Sequence, residues 1–531
     1  MMFKTPCGPR LFWAPLTVVA LVALSACGGS DASALQAQAV QRAAVKLDTL
    51  VPQWMARTGV PGVAVAVVYR GRTIYIKGFG VRRVGESAPV DADTVFQLAS
   101  VSKSVGATVM AAQMPGDAGS DGGPVITWST PVESLMPGFE LAYPDPATNA
   151  KLTLGDLYAH RSGLPDHAGD QLEEIGYTRA DILQRLRDVP LNAYGSYDYT
   201  NFGLTAAAQA MADARGVDWE TLSENALYQP LGMTSTSSRY ADFVARSDRA
   251  WGHVQIGWSY DTYGQEPAQY QVQIPPRDPD AQAPAGGVSS SASDMARWMK
   301  LVLAGGQWNG QQLLSPDALQ AALTAQPGGK YGYGFNVGTD PEGHPTVSHS
   351  GAFTMGAATT FILWPEADLG ITVLTNAQPR GLAEAIAVAF GEAALGDAPG
   401  AAPGTDWLAF MQALPAFHDM YKPLGKLAGQ TPPANAMPPS APLASYVGNY
   451  TNTYYGTAQI VLDADGQSLD LVMGPAAVRY HLFRWDGDEF AFDLQSENAA
   501  TGSISAVQFM PQSMQIEYFS QDAAHGLFER Q

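Results

Sequence analysis

The sequence contains very little cysteine. Only Cys7 and Cys27 occur among its 531 residues. The long remainder of the chain has no thiol, which excludes disulfide bonds, zinc sites built from cysteine and a cysteine nucleophile there. Any nucleophile must therefore come from another residue type.

Basic side chains are also scarce. Lysine and arginine number 30 against 50 aspartates and glutamates, and the net charge is −20 at pH 7. Such a surface repels phosphate backbones, so nucleic acid is not an expected partner. Hydrophobic residues make up 46% of the chain, enough to bury a large core, and the length favours two or three domains.

The N-terminal apolar stretch is too short to cross a membrane as a helix. Lys4 and Arg10 precede it, it covers Leu11–Leu24, and Pro15 interrupts it. Small residues follow and lead to Cys27. This pattern predicts a cleavable secretory signal peptide over residues 1–26.

The segment Leu24-Ser25-Ala26-Cys27 resembles a bacterial lipobox. The resemblance implies that Cys27 is lipidated and becomes the first mature residue, with residues 27–34 as a short tether. The protein would then be anchored to a membrane without spanning it. Gly28, rather than an aspartate, follows Cys27, which resembles lipoproteins sent to the outer membrane of Gram-negative bacteria. We therefore expect a periplasmic protein anchored to the outer membrane. The alternative is an ordinary signal peptide whose product carries no lipid.

Residues 35–395 have the pattern of an α+β domain, because helices in the middle of the segment lie between strands at both ends. We expect an antiparallel central sheet flanked by helices, plus an all-helical subdomain. The predicted strands are Gly62–Tyr69, Thr73–Gly80, His344–Phe353, Thr359–Leu363 and Gly370–Thr375. The predicted helices include Leu35–Thr58, Ser291–Ala304 with Ser291 and Asp294 as a capping box, and Leu382–Ala394.

The composition changes at Gly396, where proline and alanine become frequent. Residues 396–440 are predicted to be a linker with one helix at about 407–422. Residues 441–531 are predicted to form a small all-β barrel or sandwich, because short alternating strands are separated by turn residues. The predicted strands are Gln459–Leu462, Ser468–Met473, Tyr480–Trp485, Glu489–Leu494, Ser503–Phe509 and Met514–Phe519.

The segment Ala99-Ser100-Val101-Ser102-Lys103 is the sharpest chemical signal. Of the nine lysines only Lys103 has a serine three positions before it. Residues i and i+3 share a helix face, so the amine can take the proton of the Ser100 hydroxyl if burial lowers its pKa. The helix N-terminus adds positive potential and a backbone N–H for an oxyanion. The alternative is a serine N-cap followed by an exposed lysine.

Two further segments carry candidate site residues. Tyr199-Thr200-Asn201 offers a phenol that can shuttle a proton and an amide that can bind a substrate amide. His349-Ser350-Gly351, followed by Ala352, lies at the end of a predicted strand that can offer a second oxyanion N–H. Taken singly, the first segment is also compatible with an aromatic loop on the core, and the second with an ordinary hydrogen-bonded histidine.

In order and approximate spacing, the three motifs resemble those of the serine β-lactamase and penicillin-binding-protein superfamily. The resemblance is to the class C β-lactamase branch, with D-alanyl-D-alanine carboxypeptidases, D-aminopeptidases and esterases as relatives. It covers about residues 35–395, and the C-terminal domain resembles the lipocalin-like module that often follows. Further matching segments are Phe96–Lys103, His160–Pro165, Pro230–Met233, Gly286–Val288 and Ser291–Asp294.

The resemblance assigns roles to these residues. Ser100 would be the acylated nucleophile, Lys103 and Tyr199 the proton-transfer pair, and Asn201 a ligand of the substrate amide. The oxyanion would lie between the backbone N–H groups of Ser100 and Ala352. No class A-type glutamate motif for deacylation is evident, so water activation would fall to Tyr199 and Lys103.

His349, Ser350, Gly351 and Ala352 would line the substrate. His349 stands where class C β-lactamases carry a lysine, although some carboxypeptidases, aminopeptidases and esterases also have histidine there. A histidine is mostly neutral at pH 7, which lowers the attraction for a substrate carboxylate.

We therefore expect a serine hydrolase that acts on a small peptide, amide or ester, with no cofactor and no metal. A peptidase or amidase of carboxypeptidase or aminopeptidase type is the first candidate. The alternatives are a carboxylesterase, a β-lactamase and a non-catalytic peptidoglycan-binding protein. The Gly- and Asp-rich stretch Met114–Gly123 departs from the family pattern and is expected to be a solvated loop.

Overall fold

The computed structural model describes residues 24–114, 125–263, 267–396, 404–520 and 526–531. Most of the predicted signal peptide and nearly all of the predicted 114–123 loop lie outside the described residues. Cys27 falls within the first helix, Leu24–Thr58, and its lipidation stays a prediction. Among the described residues, no helix combines the length and the apolar character that a membrane crossing requires.

A six-stranded antiparallel sheet forms the centre of the N-terminal domain, in the strand order β2-β1-β12-β11-β10-β9. The strands of this domain are β1 (Gly62–Tyr69), β2 (Arg72–Gly80), β3 (Phe96–Gln97), β4 (His253–Ile256), β5 (Gln269–Val272), β6 (Ser289–Ser290), β7 (Gln307–Trp308), β8 (Gln311–Gln312), β9 (Asn336–Thr339), β10 (Pro345–Phe353), β11 (Ala357–Trp364) and β12 (Leu369–Thr375). The five predicted strands are confirmed within a few residues at each end.

Helices flank this sheet. They are α1 (Leu24–Thr58), α2 (Val101–Ala112), α3 (Leu154–Tyr158), α4 (Asp170–Glu174), α5 (Arg179–Arg185), α6 (Asn201–Arg215), α7 (Trp219–Ser223), α8 (Gln229–Leu231), α9 (Tyr240–Ala245), α10 (Ala283–Gly286), α11 (Ala292–Leu303), α12 (Pro316–Ala322), α13 (Leu382–Leu395), α14 (Trp407–Gln412) and α15 (Pro415–His418). Most of them lie in the chain between β2 and β9, whereas α1 precedes the sheet strands and α13–α15 follow them.

Strand β1 shows why this sheet is apolar on both faces. All eight of its residues are buried. Val63, Val65 and Val67 pack in the core with α1 and α13, while Ala64 and Ala66 pack in the core with α11 and the helical subdomain. Successive side chains of a strand point to opposite faces, so a strand covered on both sides needs a continuous apolar run.

The predicted capping box of α11 is half right. The Ser291 hydroxyl accepts a hydrogen bond from the Asp294 N–H at 3.2 Å, as predicted. The Asp294 carboxylate does not return to Ser291, because it accepts hydrogen bonds from Ser235 N at 2.8 Å and Thr236 Oγ1 at 2.9 Å. The carboxylate thus joins α11 to the segment after α8.

The segment after α13 packs on the N-terminal domain. One helix was predicted at about 407–422, and the structure has α14 and α15 instead, since proline at position 415 cannot continue a helix. Trp407 and Leu408 are buried in the core with α1 and α13. Asp406 pairs with Arg57 at 2.9 Å, which joins this segment to α1.

The C-terminal domain is a closed antiparallel barrel of eight strands. Its strands are β13 (Gly448–Asn452), β14 (Gly456–Leu462), β15 (Leu469–Met473), β16 (Val478–Asp486), β17 (Glu489–Leu494), β18 (Ser503–Met510), β19 (Ser513–Ile516) and β20 (Leu527–Arg530). Six of these correspond to the predicted strands. The two that sequence reasoning missed, β13 and β20, pair with each other and close the barrel.

The barrel packs against the helical subdomain. The Tyr177 hydroxyl donates to Tyr455 O at 3.0 Å, and Arg185 donates to Tyr454 O at 2.6 Å. One hydrophobic cluster contains residues of both the helical subdomain and the barrel interior. The two domains therefore share packed apolar surface.

Candidate active site

Ser100 lies at the start of α2, directly after a tight turn that follows β3. Ala99 in this turn has φ of 47°, a left-handed conformation that is uncommon for a residue other than glycine. Ser100 occupies the N-cap position, yet its side chain makes no capping hydrogen bond. The alternative of a capping serine is therefore wrong, and the hydroxyl is available for other contacts.

Lys103 is 0% exposed, which also excludes the alternative of a solvated lysine. Its Nζ lies 3.0 Å from Ser100 Oγ, 2.7 Å from Asn201 Oδ1 and 3.0 Å from Ala285 O. Burial lowers the pKa of Lys103 to about 7, although the charge of Asp170 opposes this shift. A neutral amine has two hydrogens for the two carbonyl oxygens and a lone pair for the serine hydroxyl.

Tyr199 approaches the nucleophile from the segment before α6. Its hydroxyl lies 2.8 Å from Ser100 Oγ, and the Lys103 amine lies 4.6 Å from the centre of its ring. Burial raises the pKa of Tyr199 well above its usual range, against a lowering effect of the hydrogen bond to Ser100. The phenol is therefore protonated at neutral pH and acts as a donor to Ser100.

Asn201 is held at both ends of its side-chain amide. Its Oδ1 accepts from Lys103, and its Nδ2 donates to Asp170 Oδ2 at 2.9 Å. A carboxylate can only accept, so Asp170 fixes which end of the amide faces Lys103. The predicted contact to a substrate amide would use the second lone pair of Oδ1 or the second N–H of Nδ2.

Asp170 and His167 were not identified from the sequence. His167 Nδ1 lies 2.8 Å from Asp170 Oδ2. Although burial lowers the pKa of His167, the hydrogen bond to Asp170 and its charge outweigh this effect and raise that pKa to about 9. A chain of hydrogen bonds thus runs from His167 through Asp170 and Asn201 to Lys103. No sequence motif predicts it, since its members come from distant segments.

His349 lies on β10 and faces an aromatic environment. Its Nδ1 is 2.7 Å from Ser350 O, a carbonyl that can only accept, so Nε2 is left as the acceptor for the Tyr331 hydroxyl at 2.9 Å. Burial, with the Lys103 charge as a second cause, lowers the pKa of His349 to about 3. His349 is therefore neutral at pH 7. Tyr331 has no signal in the sequence that would have identified it.

The other three residues of this segment are placed differently from one another. The Ser350 hydroxyl contacts Thr360 Oγ1 at 3.2 Å, on the adjacent strand. A Cβ on Gly351 would lie 2.1 Å from Leu98 O and 3.0 Å from Ser100 N, so glycine allows β10 to touch the turn of the nucleophile. The neighbouring Ala352 is exposed, and its role as an oxyanion donor stays a prediction.

His160 packs behind Tyr199. Its ring centre lies 4.5 Å from that of Tyr199 and 5.0 Å from that of Tyr331. Its Nδ1 accepts a hydrogen bond from Thr200 N at 3.2 Å. The segment His160–Pro165, which matches the family pattern, therefore packs against the tyrosine and its neighbour Thr200.

A group of potential metal ligands lies away from these residues. Asp340, Glu342 and His344 lie in or next to the turn between β9 and β10 and have ligand atoms within 4.8 Å of one another. Asp340 Oδ2 already accepts from His344 Nδ1 at 2.8 Å and from Trp364 Nε1 at 3.0 Å. The group lies at the end of β10 opposite to Gly351, about 20 Å along the strand, and takes no part in the site.

Comparison with known proteins identifies the family. The β-lactamase family model matches residues 47–394, and a domain of unknown function, DUF3471, matches residues 432–522. An unguisins hydrolase of Aspergillus violaceofuscus is 28% identical over 255 residues, which are 46% of this chain and 42% of that protein. An unguisins hydrolase of Aspergillus campestris is 25% identical over 437 residues, which are 78% of this chain and 77% of that protein.

A solved structure shares the fold. It is the octameric penicillin-binding protein homologue from Pyrococcus abyssi, with a TM-score of 0.54, 19% identity, and coverage of 89% of this chain and 97% of that chain. This similarity shows that the fold is shared. The family model covers more than half of the chain and shows that the chain belongs to the β-lactamase family, within the β-lactamase and penicillin-binding-protein superfamily of serine hydrolases.

Proposed function

We propose that this protein hydrolyses a peptide or amide bond through an acyl-enzyme on Ser100, as a carboxypeptidase- or aminopeptidase-type enzyme. One observation carries the proposal. Ser100 Oγ lies 3.0 Å from the amine of Lys103 and 2.8 Å from the phenol of Tyr199. Both distances are within reach of direct proton transfer.

In the acylation step Ser100 Oγ attacks the substrate carbonyl and its proton moves to Lys103 Nζ. The neutral amine can accept it, because its own hydrogens are directed to Asn201 Oδ1 and Ala285 O. The oxyanion that forms would be bound by the backbone N–H groups of Ser100 and Ala352.

The leaving group is the reason to prefer an amide. An amine must be protonated as the C–N bond breaks, whereas an alkoxide or phenoxide can leave with less help. Tyr199 holds a proton 2.8 Å from Ser100 Oγ, next to the position of the breaking bond. The ammonium of Lys103 then stabilises the phenolate. In deacylation the same pair would take a proton from water and return one to Ser100.

A carboxylesterase is the second candidate, and His349 favours it. A neutral histidine bonded to Tyr331 offers no fixed positive charge to a carboxylate. The weaker attraction for a carboxylate argues against an efficient β-lactamase, and it favours an esterase or a peptidase.

The test compares a p-nitroanilide and a p-nitrophenyl ester that share one acyl group. Wild type, Ser100→Ala and the control Ser102→Ala are assayed on both, and quenched reactions are examined by mass spectrometry for an acyl adduct on Ser100. Ser102 lies in the same helix, but its hydroxyl accepts from Val288 N at 3.0 Å. We expect only Ser100→Ala to lose turnover and adduct on both substrates.

Other outcomes separate the alternatives. Turnover of the ester alone would establish the esterase, and rapid opening of a chromogenic cephalosporin would establish a β-lactamase. Equal rates from wild type and Ser100→Ala, with no adduct, would overturn the proposal and favour a non-catalytic peptidoglycan-binding protein.

A further inference from the structure

The loop between β17 and β18 of the barrel reaches into the N-terminal domain. The Glu497 carboxylate of this loop accepts hydrogen bonds from two consecutive backbone N–H groups, Thr354 N at 2.8 Å and Met355 N at 3.1 Å. The Glu497 carbonyl accepts from the Thr354 hydroxyl at 2.8 Å. One barrel residue therefore holds the turn between β10 and β11 by three hydrogen bonds.

This turn directly follows the strand end that lines the candidate site. Ala352, whose N–H is the proposed oxyanion donor, lies two residues before Thr354, a span of at most about 7 Å. Gly351 touches the turn of the nucleophile, since a Cβ there would lie 3.0 Å from Ser100 N. A shift of the turn therefore moves the Ala352 N–H relative to Ser100.

The same loop also contacts α4. Asn498, next to Glu497, donates its backbone N–H to Glu174 Oε1 at 3.1 Å. Glu174 belongs to α4, the short helix that also carries Asp170, and Asp170 orients Asn201. Two consecutive residues of the barrel thus contact the turn after β10 and the helix that carries Asp170.

Arg277 lies between these contacts. Its guanidinium pairs with Glu173 of α4 and lies 5.5 Å from the centre of the Phe353 ring at the end of β10. Burial raises the pKa of Glu497 to about 7, against the lowering effects of the Arg277 charge and of the Thr354 and Met355 N–H groups. The Arg277 charge and the two backbone N–H groups thus favour the charged form of Glu497 against the effect of burial.

We propose that Glu497 is a positioning residue for hydrolysis, which fixes the β10–β11 turn so that the Ala352 N–H stays directed at the oxyanion. This inference rests on the proposed function of Ser100. It assigns a role in the reaction to the C-terminal barrel, whose loop would be required for the geometry of a site formed entirely by the N-terminal domain.

The test uses the full chain with Glu497→Ala, Glu497→Gln and a matched control, Glu517→Ala. Glu517 also accepts two backbone N–H bonds, from Lys426 at 2.8 Å and Ala506 at 3.2 Å, but does so away from the turn. Removing an oxyanion donor lowers kcat by 10²–10³ in known cases, so a displaced donor should lower it by about tenfold. We expect this loss in Glu497→Ala with KM changed less than about twofold, because the oxyanion forms only during the reaction.

The conservative and control variants make the result specific. Glu497→Gln keeps one acceptor oxygen and should recover part of the lost kcat, whereas Glu517→Ala should keep the wild-type value. Hydrogen exchange followed by mass spectrometry supplies a readout without turnover. In Glu497→Ala the amides of residues 354 and 355 should exchange at least about tenfold faster, since they lose their acceptor.

Two results would overturn the positioning role while leaving Ser100 catalysis intact. One is wild-type kcat in a folded Glu497→Ala protein, and the other is an equal loss of kcat in Glu517→Ala, which would indicate a general effect on stability. A wild-type protein with neither turnover nor an adduct on Ser100 would instead overturn the proposed function, and the positioning role with it.

Discussion

The two walls of the candidate site differ in the kind of group that they present. The wall formed by α2 and α6 contributes Lys103, Tyr199 and Asn201, which are linked to Ser100 and to Asp170 by hydrogen bonds of 2.7–3.0 Å. The wall formed by β10 contributes a neutral histidine and backbone N–H groups. Under the proposed mechanism this difference corresponds to two roles: one wall transfers protons, and the other binds the acyl group and the oxyanion.

The physical basis of this division is electrostatic. On the first wall Asn201 links the Asp170 carboxylate to the Lys103 amine. The buried Lys103 amine has a polar partner for each hydrogen and for its lone pair. On the second wall burial and the Lys103 charge both disfavour a cation at His349, so the imidazole stays neutral. The following substitutions test this comparison.

Lys103→Met should have the largest effect, because it removes the proton acceptor and keeps the length of the side chain. General acid–base catalysis contributes typically 10²–10⁴-fold, so we expect kcat to fall by at least about 10³-fold. The measurement is steady-state hydrolysis of the shared-acyl anilide. Lys151→Met, at an exposed position, is the control and should retain activity. Comparable activity in Lys103→Met would show that this wall does not perform the proton transfer.

Asp170→Asn should have an intermediate effect with a shift in pH dependence. In wild type kcat/KM should rise with pH through about 7, as Lys103 loses its proton. The Asp170 charge raises the pKa of Lys103, so its removal should move this rise to lower pH. Asparagine keeps one acceptor oxygen, but its amide can also donate, so Asn201 is no longer held in a single orientation and the plateau should fall by about tenfold.

The control for Asp170→Asn is Asp340→Asn. Asp340 also pairs with a histidine at 2.8 Å, but lies far from the site. We expect its pH profile to match wild type. A rise at unchanged pH in Asp170→Asn would contradict the electrostatic link between Asp170 and Lys103.

His349→Lys should have the smallest effect and should act on selectivity. A lysine places a positive charge on the neutral wall, and an interaction of about 1 kcal/mol with a carboxylate corresponds to about fivefold. We expect the ratio of kcat/KM for a substrate with a free carboxylate to that for its amide-capped form to rise by this factor. Tyr331→Phe removes the hydrogen bond to His349 without adding charge, so its ratio should stay near that of wild type. An unchanged ratio in His349→Lys would mean that position 349 does not contact the substrate.

Local patterns in the sequence predicted the parts of the site that depend on one element. The i, i+3 spacing placed Ser100 and Lys103 on one face of α2, and the apolar run at Gly62–Tyr69 defined β1 without error. Tyr199 was placed near Lys103 by the family resemblance rather than by spacing, since 95 or more residues separate it from both partners.

Contacts between distant segments could not be predicted in this way. Asp170 at the start of α4 contacts Asn201 at the start of α6, and neither helix has a sequence signal for that approach. Glu497 belongs to a turn of a different domain, and it resembles any other solvated loop glutamate. The strands β13 and β20 are short and lie at the two ends of the barrel sequence. They pair only because the barrel closes, and a contact between such distant segments gives no periodic pattern within either one.

The close approach of Gly351 to Leu98 has a consequence for altering the substrate range of this scaffold. Any side chain at position 351 would push β10 away from the nucleophile, so glycine should be kept there, although we expect this position to border the substrate. The neighbouring Ala352 has an exposed side chain, and variation there would change the shape of the cleft without separating the two walls. Diversity among engineered relatives should therefore concentrate at position 352 and leave 351 unvaried.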